Sequence, residues 1–384
     1  MEVGVEAVDG RALRGIRRRR SIVEAADSYF RSNGYAGTSL REFSASIGMS
    51  HSGVLRHFAS KSQLLQAVLE GSPAAPLPEH AGSASDQIIQ AMRERRENPH
   101  RMGLYFSLLG EASSADHPAH DTLAEEIGAR TAWIEQRVPG QGALLSAVWD
   151  GLEILARFLG ESIDPVAIMQ QMLAVTPASA ASALMIRHLL DEAPSATPEQ
   201  SPHGETSRDQ ILAAAAAAFA EEGYRAASIR SIATRLGIAH GTILYHFGSK
   251  EELLDGVLSN QSGASDVAAL AGTGPDTLAQ LWSRIVANES RTDIVRVYSS
   301  LLCEASSPSH PAHEFFRTRY ERVLARFEAA HVHIVEEHCL RSSAPHHIIA
   351  AWVVACWDGL QIHRNFAPAI DVPAVMSAEF ERIL

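Results

Sequence analysis

The chain has 384 residues, more than one compact core usually holds, so several units are expected. A net charge of −12 argues against a non-specific polyanion binder, but it leaves room for a local basic face. Cys303, Cys339 and Cys356 all lie in the second half and give no disulfide framework, which suits a reducing compartment. No stretch is long and apolar enough to span a bilayer, and no apolar leader segment follows the early arginines, so a soluble, cytoplasmic protein is expected. Long Ala-, Leu-, Glu- and Arg-rich segments without alternating β-branched runs predict an all-α fold.

In chain order, residues 1–16 read as a disordered arm. The four arginines Arg17–Arg20 read either as a solvated helix start or as an arm reaching phosphates or a minor groove, with Arg17 and Arg18 as candidate contacts. Ile22, Val23, Ala26, Tyr29 and Phe30 make an amphipathic helix that ends at Asn33-Gly34. Leu40–Ile47, a turn at Gly48 and a second helix over Ser50–Phe58, capped by Ser50, follow as a helix-turn-helix. This first unit spans 17–70. Further helices fill 80–192, and the Pro-, Ser- and Thr-rich stretch 193–206 reads as a linker.

The chain then starts again. Gly34-Tyr35, His57-Phe58 and Ser60-Lys61 return 189 residues later as Gly223-Tyr224, His246-Phe247 and Ser249-Lys250. The second helix-turn-helix is Ser228–Lys250, with Ile229, Ile232, Ala233 and Leu236 on one face and Gly237 as the stop. This unit spans 207–260 and a second helical domain spans 275–384. Glu111-Ala112-Ser113-Ser114 returns as Glu304-Ala305-Ser306-Ser307, His117-Pro118-Ala119-His120 as His310-Pro311-Ala312-His313, and Trp149-Asp150-Gly151 as Trp357-Asp358-Gly359. A whole two-domain unit has been duplicated within one chain.

The run Gly237–Leu253, GIAHGTILYHFGSKEEL, resembles the motif of the tetracycline-repressor (TetR) family of bacterial transcriptional regulators; Gly48–Leu64 is a second, looser copy. The resemblance implies two halves, each with a three-helix DNA-binding domain and a C-terminal helical bundle. It also implies a second recognition helix in the major groove, a double-stranded DNA operator, a small-molecule effector and pairing through the last helices. Those helices would be about 144–160 and 165–174 packed on 348–365 and 372–383, so that one chain forms an intramolecular pseudo-dimer, with further self-association open. Many members carry a tyrosine where this chain has Leu55 and Leu244.

The two recognition helices differ. The first offers His51, Ser52, Gly53 and Arg56, the second His240, Gly241, Thr242 and Tyr245, which predicts unequal half-sites. Arg41 and Arg230 are candidate backbone or groove contacts, Lys61 and Lys250 suit phosphates, and His57 and His246 either touch phosphate or pack.

For the larger domains a ligand pocket between helices is expected, with candidate linings Met102, Tyr105, Phe106 and Trp133 in one half and Trp282, Tyr298, Phe316 and Tyr320 in the other. Each of these residues also suits a plain core. Glu111 and Glu304 read as groups that bind a polar part of the ligand or cap a neighbouring helix. The His-Pro-Ala-His pairs read as helix starts at proline rather than as metal ligands. His331, His333, His338, Cys339, His346 and His347 lack a zinc spacing and read as a solvated helix end. No metal and no cofactor is expected. No phosphate-binding glycine loop, GxSxG elbow or HExxH is present, so the sequence does not read as an enzyme. The alternative reading is a ligand- or metal-sensing helical protein in which one helix-turn-helix has lost DNA.

Overall fold

A computed structural model describes residues 10–74, 77, 82–193, 207–224, 226–265, 275–289, 292–337, 342 and 344–384. Among them every regular element is helical. The first half runs α1 Gly10–Asn33, α2 Leu40–Ser46, α3 His51–Leu55, α4 Lys61–Gly71, α5 Ala84–Arg96, α6 Pro99–Glu111, α7 His120–Glu135, α8 Gly142–Leu159, α9 Pro165–Leu173 and α10 Ala180–Asp191. The second runs α11 Ser207–Glu222, α12 Ile229–Leu236, α13 His240–Phe247, α14 Lys250–Ser265, α15 Pro275–Asn288, α16 Thr292–Ala305, α17 His313–Glu337, α18 His346–Arg364 and α19 Val372–Ile383. The order repeats helix for helix from α1 to α9, and α10 is extra.

Two expectations change here. The disordered arm drawn over 1–16 ends too late, because α1 already begins at Gly10; its first turns continue the helix whose buried face is Ile22, Ala26 and Phe30. Pro118 and Pro311 do not open helices: they lie in the turns before α7 and α17, which start at His120 and His313. Most of the linker expected at 193–206 lies outside the described residues, as do His338 and Cys339.

Small residues set how the halves meet. The helices α8 and α18 cross at two glycines, and a Cβ on Gly151 would collide with the Ala355 carbonyl while one on Gly359 would collide with the Ala147 carbonyl. Gly151 and Gly359 stand 208 apart, as do Ala147 and Ala355, so the crossing has a local two-fold pseudo-symmetry. A second contact joins α6 to α16, where Ser300 Oγ donates to the Gly110 carbonyl at 3.1 Å. The extra helix α10 leaves its own half and packs on α19 and α15, with Arg187 donating to both Glu381 oxygens at 2.9 and 2.6 Å. The expected partners 144–160 and 348–365 are thus the main seam, with 165–174 and 372–383 at its flanks.

One polar cluster crosses that seam. The Asp150 carboxylate, fully buried, accepts from Arg95 at 3.0 Å, from Tyr105 Oη at 2.7 Å, from His363 Nε2 of the other half at 2.9 Å, and from Arg130. Burial alone would raise this carboxyl, but Arg130 and Arg95 hold it well below the usual range. The duplicate position Asp358 has only part of this company. Tyr320 Oη donates to it at 2.6 Å, and burial pushes its carboxyl up despite that hydroxyl and Arg319.

Candidate nucleic-acid interface

Each head is built by local chemistry. Ser39 and Glu42 form a reciprocal cap at the start of α2, and Ser228 with Ser231 does the same for α12. Gly48 and Gly237 take φ of 65° and 66° at the turns, a backbone region that costs glycine least. Ser50 Oγ accepts from Gly53 N at 3.0 Å, the N-cap expected for the recognition helix; Ala239 opens α13 with no side-chain cap. Val54 and Phe58, and Ile243 and Phe247, are buried and fix the inner face of each recognition helix.

The outer face is then set by helical spacing. His51, Ser52 and Arg56 are exposed in the first head, with Ser50 beside them; Gly53 is half-buried, and a Cβ there would sit 3.0 Å from Ser50 Oγ. His240, Gly241 and Tyr245 are exposed in the second, Tyr245 at 86%, and Thr242 is half-buried. Leu55 and Leu244, the positions that depart from the family motif, are themselves exposed on these faces. Arg41 and Arg230 are exposed early in α2 and α12, and Arg17, Arg18 and Arg20 are exposed along α1. His57 and His246 are half-buried, His246 edge-on to Tyr245 with centroids 5.4 Å apart.

The lysines are a correction. Lys61 does not point outward: its Nζ donates to the carbonyls of Tyr35 and Thr38 at 2.9 and 2.8 Å and lies 4.1 Å from the Tyr35 ring. Burial lowers its pKa, with Glu111 opposing. Lys250 Nζ lies 4.3 Å from the Tyr224 ring, which repeats the Lys61–Tyr35 ring contact. Both tie the start of the fourth helix of their head to the loop after α1 or α11. Two anchors that motif reading passed over are Arg19 and Arg208. Arg19 donates to the His57 carbonyl at 2.7 Å and covers the Phe58 ring; Arg208 covers the Phe247 ring. The signal was available, since Arg19 and Arg208 also stand 189 apart.

The heads are fastened to the larger domains by the repeated glutamates. Glu111 accepts from Tyr35 N at 3.1 Å and from Ala36 N at 2.8 Å, and Glu304 accepts from Tyr224 N at 3.1 Å. His117 packs edge-on to Tyr35 and His310 to Tyr224, each with centroids 4.9 Å apart. The second histidine of each pair turns the other way. His120 stacks on Phe366 of the second half and His313 on Phe158 of the first. The His-Pro-Ala-His motif therefore links a head to the opposite half, and its rings are engaged as packing and hydrogen-bonding groups.

The aromatic candidates for a pocket lie in the interior. Met102, Tyr105, Phe106 and Trp133, and Tyr298, Phe316 and Tyr320, are buried core side chains, and Trp282 packs against that core. Among the described residues, Glu111 and Glu304 border a cavity of about 250 Å3. His331 is not solvated either: it is 4% exposed, lies against His346 with Nδ1 atoms 2.9 Å apart, and borders a small apolar cavity with Phe380 and Leu384. No group of three or more potential metal ligands occurs among the described residues.

Comparison with known proteins agrees with the two heads. The family model described as bacterial regulatory proteins, tetR family, matches residues 22–68 and again 211–257. The chain is 49% identical over 51 residues to the HTH-type transcriptional repressor KstR2 of Mycobacterium tuberculosis, which is 13% of this chain and 26% of that protein. It is 45% identical over 51 residues to KstR2 of Rhodococcus jostii, 13% of this chain and 25% of the relative. It is also 45% identical over 47 residues to the HTH-type transcriptional repressor AcnR of Corynebacterium efficiens, 12% and 25%. These alignments span about a quarter of each relative's length. The two family-model matches fall on two heads whose caps, turns and anchors repeat in the same order, so the chain carries two segments similar to the N-terminal domain of the tetR family.

Proposed function

We propose that this protein is a transcriptional repressor that reads an asymmetric, pseudo-palindromic operator with both heads of a single chain and is released by a small-molecule effector. The observation that carries this is the pair of outward recognition faces, one per half, on halves that pack across α8 and α18. A homodimer presents the same helix twice and reads a palindrome. Here His51, Ser52 and Arg56 stand against His240, Gly241 and Tyr245, so the two half-sites differ in the bases they favour.

The relatives are named as repressors, which supports that direction of regulation. The test uses His51→Asp and His240→Asp, which occupy equivalent exposed positions at the first turns of α3 and α13. Aspartate is tolerated at a helix start but repels phosphate. Gel shifts on DNA from the region upstream of the coding sequence should show each variant losing at least about tenfold in affinity, a cost of about 1.4 kcal/mol. Loss in only one variant favours a chain with a single working head. Loss in neither contradicts the proposal.

A further inference from the structure

Beneath the two heads, where α6 of the first half crosses α16 of the second, lies the cavity of about 250 Å3. Glu111 and Glu304 both border it, so it touches the fastening of each head at once. Their oxygens already accept backbone N–H groups of the heads. The group with unused capacity is Arg157, which reaches the cavity from α8. Its Nε donates to Ser306 Oγ at 3.1 Å, and no carboxylate lies within 4 Å of it among the described residues. Glu153, one turn earlier on α8, is taken by Arg96 at 2.7 Å. Burial lowers the Arg157 pKa, with Glu153 and Cys303 opposing. The half-buried guanidinium lies 5.2 Å from the Phe106 ring and has no paired carboxylate among the described residues, so an anion entering beside it is favoured. The other cation at the rim, Arg31, is already paired with Asp27 at 3.0 Å and bonded to His100.

The duplication makes this site single. Arg157 falls at Asn365 in the second half, by the offset of 208 that relates Gly151 to Gly359. Gly103 lines the cavity, and its duplicate position, by the offset of 193 that relates His120 to His313, is Arg296. The mirrored place therefore has Asn365 in place of Arg157 and carries the long Arg296 side chain where the first half has glycine. The size also bounds the ligand. A cavity of about 150 Å3 takes benzene and drug-sized pockets begin near 300 Å3, so this one suits a molecule of about ten non-hydrogen atoms.

We propose that this seam cavity is the effector site, and that it takes one small organic carboxylate per chain, whose carboxylate pairs with the Arg157 guanidinium and accepts from the Ser306 and Ser307 hydroxyls. This rests on the effector-released repressor proposed above. Because the cavity borders both glutamates, one bound anion shifts the seating of both heads relative to each other, the step that would take them off a fixed half-site spacing.

The test is calorimetric titration of the full chain, without DNA, with benzoate and succinate and with their amides benzamide and succinamide. The expected result is binding of at least one acid at one per chain, with its amide weaker by tenfold or more. Arg157→Gln should weaken the acid by tenfold or more, and Gly103→Met, which fills the cavity with a long uncharged side chain, should abolish binding; a Cβ at Gly103 meets only Arg31 Cδ, at 3.5 Å, so the helix accepts it. Binding of neither acid, equal binding of acid and amide, two sites per chain, or binding unchanged in both variants overturns the proposal. No DNA is present in the titration, so failure here leaves the gel shifts intact, and failed gel shifts leave the titration intact.

Discussion

His331 shows how one side chain can report on the packing of the second half. It sits beside His346 in a largely apolar setting, and burial lowers its pKa to about 4, with the neighbouring histidine acting in the same direction. An unfolded histidine titrates near 6.5, so between these values the unfolded chain binds a proton that the folded chain refuses. The stability from this group is complete above about pH 6.5 and is lost as pH falls toward 4. Burial lowers His363 as well, against Asp150, and it acts in the same direction. Denaturant unfolding should therefore lose about 1–2 kcal/mol between pH 7 and pH 5 from His331, a loss absent in His331→Leu. Equal losses in the two proteins would contradict this. The sequence could not reveal the role of His331, because its partner lies 15 residues away on another helix. Gly237 and Ser50 were legible because a turn glycine and an N-cap act within a few residues. Lys61 was not, because the carbonyls that hold it belong to residues 26 and 23 positions earlier.

At the scale of elements, α8 and α18 carry the pairing of halves, and their contact combines close backbone approach with a buried ionic cluster. Such a cluster contributes little net stability when intact, yet it is costly to break. Asp150→Asn leaves Arg130 and Arg95 short of their counter-charge and should cost about 3–5 kcal/mol. Asp358→Asn should cost about 1 kcal/mol or less, because burial already raises that carboxyl and a neutral tyrosine is its hydrogen-bond donor. Chemical denaturation of the two variants checks the contrast, and equal costs would refute it. The helices were legible from periodicity and from the repeated Trp-Asp-Gly motif. The asymmetry between the two aspartates was not: it depends on which side chains converge from α5, α6, α7 and the opposite half, and those lie between 20 and 213 residues away. The role of the aromatic residues could not be read from sequence for a similar reason, since a ring between helices reads alike whether it fills the space or borders it.

The whole molecule is acidic, yet its heads are unlike in charge. Basic residues clearly outnumber acidic ones over residues 11–70 and are nearly balanced over 208–258. In the second head Arg235 is bound to Glu221 and Glu222, which removes one more free cation. The first head should thus supply more of the phosphate term. Replacing Arg17, Arg18 and Arg20 together with glutamine, while keeping the anchor Arg19, should flatten the log–log salt dependence of DNA binding by up to about 3 units, near 0.9 for each phosphate no longer neutralised. An unchanged slope would place α1 away from the DNA. The duplication itself was visible in sequence through its constant offsets. The crossing of α10 onto the second half was not, because α10 has no duplicate to be compared with.

In the proposed reading one chain does the work of two. The mass of the protein bound to its upstream DNA, measured in solution by light scattering or native mass spectrometry, tests it most directly. One chain of 41.5 kDa per operator is expected, with two major-groove footprints about one helical turn, or a multiple of it, apart. Two chains on a site with only two footprints would contradict it, because one head of each chain would then be idle.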